Sequence, residues 1–336
     1  RRQRQMCIRD RYLLRGRDVE FAKRSFHVAA AFGFASICSV IVLGDESGYS
    51  IGHAQQTKLA TIEAMWETEP PPASFNLIAS INEQEQKNNW AIHIPYAMGI
   101  IGTRSFDTPI LGIHDLKDLN REKIIDGQQA VVLLEQLRED KENADLIKAF
   151  NTHKDNLGFG LLLGKYTADI ANATPQMIEQ AVEDSIPRVT PMFWSFRVMV
   201  GLGFLMLALF SLCLFYTIKG GYMDKRWLLK FAVIMLPAPW IASEMGWFVS
   251  EYGRQPWTVY GVLPTHLSVS NISATSVFWS LAGFVGFYTL LLIVEIYLMQ
   301  KYVRLGPASL GTGRYDGEQP AIDKLPAPTG GVSNAI

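Results

Sequence analysis

The sequence has few charges and few cysteines for its length, and both scarcities exclude classes of protein. Only 19% of the 336 residues are charged, and the net charge of −1 lacks the basic excess typical of a nucleic-acid-binding protein. Three isolated cysteines, Cys7, Cys38 and Cys213, form no CxxC pair and no disulfide framework. The sequence also lacks a glycine-rich phosphate loop, a nucleophile elbow and a metalloprotease pattern.

Two long stretches contain no charged residue at all. Residues 200–218 form a run of 19 and residues 277–294 a run of 18. Soluble cores rarely contain such runs, whereas crossing a bilayer takes about 20 residues. With two further apolar segments, one of them interrupted by Pro237 and Pro239, the sequence predicts an all-α membrane protein with four transmembrane helices.

Basic residues indicate how these helices are oriented. Residues 1–24 carry nine Lys and Arg, and residues 219–230 carry four. Because cytoplasmic segments are enriched in Lys and Arg, both termini are expected in the cytoplasm. The long loop between the first two helices and the short loop between the last two then face outward.

These boundaries divide the chain into nine segments. The four membrane helices are expected at 25–44, 190–218, 227–250 and 272–300. The outward loops are 45–189 and 251–271. The cytoplasmic segments are 1–24, 219–226 and 301–336. The last of these is rich in Gly, Pro and Ala from residue 306 and is expected to be disordered.

The long loop is soluble in character and mainly helical in pattern. Residues 45–187 hold 22 of the 32 acidic residues but only 11 of the 31 basic ones. Helices are predicted at 55–66, 127–142 and 175–184, the last after a capping sequence at 172–174. A loop of this length usually has a function, although a domain used only for assembly remains an alternative.

The third membrane helix carries a polar stripe. Glu244, Trp247, Glu251 and Arg254 follow spacings of three, four and three, which place them on one helix face. An ion pair between Glu251 and Arg254 at a solvated helix end explains the outer two residues. Glu244 lies about two turns deeper, where a carboxylate needs a partner, a proton or a metal. The pattern therefore favours a cofactor-facing stripe and a solvated helix end equally.

The outer end of the second membrane helix contains Arg197 and Met199. A cation at that depth has to reach water or neutralise an anion. Methionines in membrane helices, by contrast, mostly contribute to packing. A spacing of two residues corresponds to about 200° of rotation, so the two side chains can border one large flat ligand but cannot point at the same atom.

Lys58 and Glu63 lie five residues apart on the predicted helix 55–66, about 140° apart around the helix axis. They are therefore not a standard i,i+4 ion pair. An apolar strip lies between them: Leu59, Ile62 and Trp66. A cation and an acid flanking such a strip can hold a quinone-like head group by its two oxygens. An amphipathic helix on the membrane surface explains the same pattern, and the residues alone favour that interpretation.

Several motifs resemble subunit I of the cytochrome bd quinol oxidases. Residues 44–49, GDESGY, followed by KLATIE at 58–63, resemble the start of that family's quinol-binding loop. Residues 246–257, GWFVSEYGRQPW, are similar to its GWxxxExGRQPW signature. Shorter motifs also fit: IGTRS at 101–105, SIPRV at 185–189 and RLGP at 304–307. The resemblance covers about residues 12–317, and the loop resembles the family's long-loop form.

The resemblance implies a respiratory enzyme of the bacterial inner membrane. It would oxidise quinol at the periplasmic side, reduce oxygen to water and thereby generate proton motive force. Three cofactors are implied: a low-spin haem b, a high-spin haem b and haem d, with electrons passing in that order. The implied partners are cytochrome bd subunit II, with or without a small accessory subunit, and the four helices would be part of a larger helical bundle.

The resemblance also assigns roles to residues on the second and third membrane helices. Met199 matches the axial thioether of the low-spin haem b iron, and Arg197 matches a neighbouring cation that stabilises the reduced haem. Glu251 matches the acid at the high-spin haem b iron. Trp247 matches an indole near the haems, and Arg254 is expected to pair with a haem propionate.

Two residues of the loop receive roles in the same way. Lys58 and Glu63 match residues implicated in quinol oxidation.

The chemistry of these groups agrees with the implied roles. A thioether such as that of Met199 favours reduced iron and so suits an acceptor of electrons from quinol. Quinol oxidation also releases two protons, and Glu63 on an outward loop is suited to accept one and pass it to the outside.

Other features of the family pattern fall outside this sequence. The family's histidine ligands and acidic proton-channel residues lie upstream, and residues 12–18 look like the end of its fifth helix. The chain is therefore expected to be a carboxy-terminal fragment that is inactive alone. Residues 1–11 match nothing expected there, and an artefact of read-through or assembly is one explanation. The competing interpretation is a non-catalytic membrane protein, such as a transporter segment or an assembly anchor, although no internal repeat favours a transporter.

Overall fold

Four segments of the structure are long and apolar enough to cross a membrane, in agreement with the predicted fold class. The computed structural model describes residues 13–14, 19–221 and 225–305, except for the side chains of 19–21 and 303–305. The four candidate spans are Ala22–Ala54, Pro175–Lys219, Arg226–Tyr252 and Ala274–Tyr302. The expectations for residues 1–11 and for the tail from residue 306 lie outside the described residues.

The described α-helices and strands follow one another in this order. In chain order, these elements are α1 (Val19–Ala54), α2 (Gln56–Glu63), β1 (Phe75–Asn82) and β2 (Lys87–Ile94). The loop continues through α3 (Ile113–Glu139), α4 (Ala144–His153), α5 (Leu157–Leu161) and α6 (Pro175–Asp184). The remaining elements are α7 (Val189–Lys219), α8 (Arg226–Ile234), α9 (Ala238–Tyr252), β3 (Trp257–Val259), β4 (Leu263–Pro264) and α10 (Ala274–Leu305). Short irregular helices lie at Gly99–Thr103, Lys154–Asn156, Leu162–Lys165, Ile170–Asn172 and Thr265–Leu267.

The third span consists of two helices, whereas the sequence predicts one continuous helix. α8 ends at Ile234 and α9 begins at Ala238, directly after Pro237. Proline lacks the backbone N–H that a helix interior requires, and its ring clashes with the preceding turn. The break therefore falls where the sequence places its first mid-span proline.

Helix boundaries in the long loop agree with the predictions to different degrees. α6 begins at Pro175 and ends at Asp184 as predicted, and the Thr174 hydroxyl caps it by accepting a hydrogen bond from the backbone N–H of Met177 at 3.4 Å. α3 begins at Ile113, well before the predicted residue 127. α2 ends at Glu63 because Ala64 adopts a left-handed conformation, with φ of 51°.

An antiparallel hairpin of β1 and β2 lies within the long loop and was not predicted from the sequence. Asn76 pairs with His93, and Ile78 pairs with Ile92. Register shifts after Asn76 and Ser80 interrupt the ladder, which obscures the period of two that would identify the strands in the sequence.

α2 is the element that joins the long loop to the membrane helices. Its residues from Thr57 to Glu63 are all buried. Ile62 packs in one cluster with Met192 of α7 and Val249 of α9. Leu59 packs on another side with Met65 and Met98 of the loop. α2 is therefore held between the loop and the ends of α7 and α9 that adjoin it.

The rest of the loop has its own core, which also includes part of the short loop after α9. Trp257 packs with Phe159 of α5 and with Ile124 of α3, and all three are buried. The close crossing of α3 and α5 depends on glycine. A Cβ at Gly127 would lie 2.1 Å from the carbonyl oxygen of Asn156.

The last helix, α10, belongs to a second unit that begins at residue 271. It contains 32 residues, and its most apolar stretch is exposed along its whole length within the described part of the chain. Its length exceeds the roughly 20 residues required to cross a bilayer.

Candidate functional site

α2 places the two candidate quinol residues at its two ends. Lys58 is 5% exposed and Glu63 is 2% exposed. Ionisable side chains are rarely buried to this extent unless they have partners. Burial of every residue of α2 except the first, Gln56, does not fit an amphipathic helix lying on the membrane surface, which the residues alone had favoured.

Glu63 forms a buried ion pair with Arg197 of α7. The Nη2 atom of Arg197 donates to Oε2 of Glu63 at 2.7 Å, and Nη1 donates to the carbonyl oxygen of Ile62 at 3.2 Å. The guanidinium also lies over the ring of Phe193 at 4.2 Å and the ring of Phe75 at 4.6 Å. Arg197 thus neutralises an anion, which is one of the two alternatives that its depth in the helix left open.

Asn76 of β1 completes this cluster, and the sequence analysis did not identify it. Its Nδ2 donates to the carbonyl oxygen of Glu63 at 2.8 Å, and its own carbonyl oxygen accepts from Nε of Arg197 at 3.0 Å. Its Oδ1 atom lies 2.6 Å from Nδ1 of His93. A single buried asparagine between apolar residues could have been noticed only once the hairpin was recognised.

Burial governs the acidity of Glu63. Removal from water raises the pKa of its carboxyl, while the Arg197 guanidinium opposes that shift through its charge and its hydrogen bond. A carboxylate with a raised pKa is a better proton acceptor near neutral pH than an exposed one.

Lys58 points towards α9. Its Nζ atom donates to the carbonyl oxygen of Ser250 in α9 at 3.1 Å. Burial and the charge of Arg254 lower the pKa of the Lys58 ammonium, and the charge of Glu251 opposes this shift. Lys58 and Glu63 therefore contact different membrane helices, α9 for Lys58 and α7 for Glu63.

Met199 points away from Arg197 and lies against α9. Its sulfur is 3.0 Å from the position that a Cβ atom would occupy on Gly246. Glycine therefore leaves space for the thioether at the contact between the two helices. The two side chains diverge, as their spacing of two residues predicts.

Three of the four residues of the predicted polar stripe lie on α9, which ends at Tyr252, and Arg254 lies in the turn that follows. Glu251 and Arg254 are ion-paired, and Nε of Arg254 is buried without a hydrogen-bond partner in the described part of the chain. Glu244 is exposed, and Trp247 is 65% exposed. Glu251 and Arg254 lie close to Lys58. Glu244 and Trp247 are exposed in the described part of the chain.

Two of the motifs meet at Arg104. Its Nη2 atom donates to Asp45 at 2.9 Å and to Glu46 at 2.8 Å, and the guanidinium lies over the Tyr49 ring at 4.3 Å. These contacts tie the segment around residues 99–105 to the C-terminal part of α1. The sequence motifs contain both partners, but the sequence analysis did not predict that they meet.

The described residues contain no group of three or more His, Cys, Asp or Glu side chains arranged to hold a metal ion. The donors that suit a porphyrin are instead spread over two helices. They comprise the thioether of Met199 against Gly246 and the buried Nε of Arg254, a hydrogen-bond donor available to a propionate.

Comparison with known proteins relates these residues to a family. The family model described as cytochrome bd terminal oxidase subunit I matches residues 5–307. The chain is 40% identical over 305 residues to cytochrome bd-II ubiquinol oxidase subunit 1 of Escherichia coli strain K12, covering 91% of this chain and 59% of that protein. It is 26% identical over 295 residues to cytochrome bd ubiquinol oxidase subunit 1 of Bacillus subtilis strain 168, covering 88% and 51%.

A solved structure shows the same fold. The bd oxidase from Geobacillus thermodenitrificans matches with a TM-score of 0.61 and 22% identity, over 91% of this chain and 55% of that chain. The chain thus spans little more than half the length of these proteins. The match of the family model over most of the sequence nonetheless establishes that the chain belongs to the cytochrome bd terminal oxidase subunit I family.

Proposed function

We propose that this chain forms the quinol-oxidising part of a membrane-bound quinol:oxygen oxidoreductase. The observation that carries the proposal is the position of α2, which is buried and linked by Glu63 to α7 and by Lys58 to α9. The relatives named ubiquinol oxidase subunit 1 support the same activity. In this proposal, quinol is oxidised at α2, and oxygen is reduced to water elsewhere in the full-length enzyme.

Glu63 is the proposed proton acceptor. Oxidation of a quinol releases two protons and two electrons, so a base has to lie within reach of the quinol hydroxyl. Burial raises the pKa of the Glu63 carboxyl, and Arg197 holds it in position with a 2.7 Å ion pair. Lys58 is proposed to orient the second quinol oxygen, because its ammonium is buried and can donate a hydrogen bond.

The proposed haem-binding residues lie on α7, on α9 and in the turn after α9. Met199 would supply a thioether ligand to the low-spin haem b, with Arg197 as the nearby cation. Glu251 would face the high-spin haem b iron, Trp247 would lie beside the haems, and Arg254 would bind a propionate. When bound, the two haems b and haem d would carry electrons from quinol to oxygen. The buried Nε of Arg254, which has no hydrogen-bond partner in the described part of the chain, supports the role of Arg254.

The proposed orientation follows the distribution of basic residues. Both termini would be cytoplasmic and the long loop periplasmic, in the bacterial inner membrane. Protons from quinol would then leave to the periplasm, while oxygen reduction would draw protons from the cytoplasm, which generates proton motive force. Cytochrome bd subunit II, with or without a small accessory subunit, is the proposed partner.

Replacement of Glu63 tests this function directly. In the full-length protein carrying this segment, Glu63→Gln should slow quinol oxidation by at least about 100-fold, because the isosteric amide cannot accept the proton. The haem content, measured by absorbance, should stay unchanged.

The matched control is Glu67→Gln, which alters an exposed carboxylate four residues after Glu63, past the end of α2. It should oxidise quinol at the unaltered rate. Full quinol oxidase activity in the Glu63→Gln protein would remove Glu63 as the proton acceptor.

A further inference from the structure

The hairpin of β1 and β2 lies along the outermost turns of α7, with a defined direction. Near its turn, Glu83 accepts a hydrogen bond from the backbone N–H of Thr190 at 2.8 Å and pairs with Arg188 at 3.3 Å. At its open end, the carbonyl oxygen of Leu77 accepts from Nε of Arg197 at 3.3 Å. The seven residue steps from Thr190 to Arg197 rise about 10 Å along the helix axis.

This direction places the open end of the hairpin at the border of the membrane. The uncharged stretch of α7 extends from Val198 to Ile218, directly beyond Arg197. The turn of the hairpin is level with the first residue of α7, where charged side chains are present. The open end of the hairpin is thus the end nearer to the bilayer, and the turn is the end nearer to water.

The side chains of the hairpin change in the same direction, from charged at the turn to apolar towards the open end. Its charged residues, Glu83, Glu85 and Lys87, lie at or next to the turn. The exposed apolar side chains lie towards the open end: Leu77 at 42%, Ile78 at 38%, Trp90 at 55%, Ile92 at 52% and Ile94 at 43%. Ile78 and Ile92 are opposite each other in the ladder, and Ser80 is opposite Trp90, so these side chains share one face.

A water-facing loop does not explain this face, because exposed apolar patches of this kind mark an interaction surface. Lipid fits it for two reasons. The patch is continuous with α7 at Arg197, where the neighbouring Trp194 and Val198 are also exposed, at 43% and 41%. Trp90 and, just past the hairpin, Tyr96 are the residue types enriched at the membrane–water interface.

We infer that the open end of this hairpin is inserted into the outer lipid interface, next to the Glu63–Arg197 pair. The apolar face contacts lipid, and the charged turn remains in water. This inference concerns a lipid-contacting surface and does not depend on quinol oxidation.

Site-directed spin labelling tests the inference in the full-length protein carrying this segment, reconstituted in phospholipid nanodiscs. The native cysteines are replaced, and a nitroxide is attached at Ile92→Cys or, as the matched control at the turn, Glu85→Cys. Ile94→Cys provides a second apolar position in case the first variant fails to assemble. Accessibility to oxygen, which partitions into lipid, is compared with accessibility to a water-soluble nickel chelate.

The labels at positions 92 and 94 should be more accessible to oxygen than to nickel, and the label at position 85 should show the reverse order. Two results would overturn the inference. Nickel accessibility at position 92 equal to that at position 85 would place the face in water. An immobile label shielded from both reagents would show that protein covers the face, whether another part of the full-length chain, a second subunit or a second copy.

Discussion

Lys58 and Glu63 are both buried on α2, but their charges are compensated differently. Glu63 has a guanidinium partner at 2.7 Å, whereas the hydrogen bond of Lys58 is to a neutral backbone carbonyl at 3.1 Å. Breaking a buried ion pair leaves an uncompensated charge, while replacing a poorly compensated buried charge by an apolar group is often stabilising. Glu63 is therefore expected to contribute to both stability and function, and Lys58 to function at a cost in stability.

The Lys58→Met variant should accordingly stabilise the folded protein by about 1 kcal/mol while slowing quinol oxidation. Because the pKa of Lys58 is lowered in the fold, the folded chain binds this proton less tightly than the unfolded chain does. The destabilisation that the Lys58 charge causes is complete when the pH lies below the lowered pKa of the folded chain. It disappears as the pH rises past 10.5, the ordinary pKa of a lysine. Thermal unfolding at neutral and alkaline pH measures the gain, which should shrink at alkaline pH.

Lys117→Met is the control for this experiment. Lys117 is also buried, but its ammonium contacts both oxygens of Glu183, at 2.6 and 2.7 Å. Its replacement should lower the unfolding temperature. A decrease of similar size in the Lys58→Met protein would show that Lys58 is stabilised by its surroundings and would refute the argument.

At the scale of elements, α2 depends on a loop domain packed closely enough to hold it in place. That packing has little tolerance at the crossing of α3 and α5, where a Cβ at Gly127 would be 2.1 Å from the Asn156 carbonyl oxygen and 2.4 Å from the Gly160 backbone nitrogen. Contacts this short against backbone atoms can be relieved only by moving a helix. A single methyl group added at residue 127 should therefore disturb the packing of α3 against α5.

Gly127→Ala should destabilise the loop by about 1–3 kcal/mol, although alanine is intrinsically the better helix former. Limited proteolysis of the loop measures the effect, and cleavage should accelerate. Gly164→Ala serves as the comparison, since its Cβ would meet its nearest atom, Nε2 of His266, at an ordinary 3.6 Å. Equal resistance to cleavage in both variants would mean that α3 and α5 are not packed as described.

Local features of these elements could be predicted from the sequence, and long-range contacts could not. α6 and its Thr174 cap follow from neighbouring residues, and so does the ion pair of Glu251 and Arg254. Glu63 and Arg197 are separated by 134 positions, so only the folded chain reveals their contact. The hairpin was missed because register shifts disturb its alternation of apolar and polar residues.

At the scale of the whole molecule, the chain holds residues for two steps of one proposed electron path. In this proposal α2 would contribute the quinol side, and α7 and α9 would contribute the haem side, with Arg197 contacting Glu63 only two residues from Met199. The membership of the family supports this arrangement, and the chain covers 59% of its Escherichia coli relative.

The most direct test of this account is the reduced-minus-oxidised absorbance spectrum of the full-length protein with Met199→Leu. Loss of the thioether should abolish or strongly diminish the low-spin haem b band, because leucine cannot ligate iron. Met206→Leu, about two turns further along α7 and packed in the membrane core, should leave that band intact. A low-spin haem b band of unchanged position and intensity in the Met199→Leu protein would contradict the account.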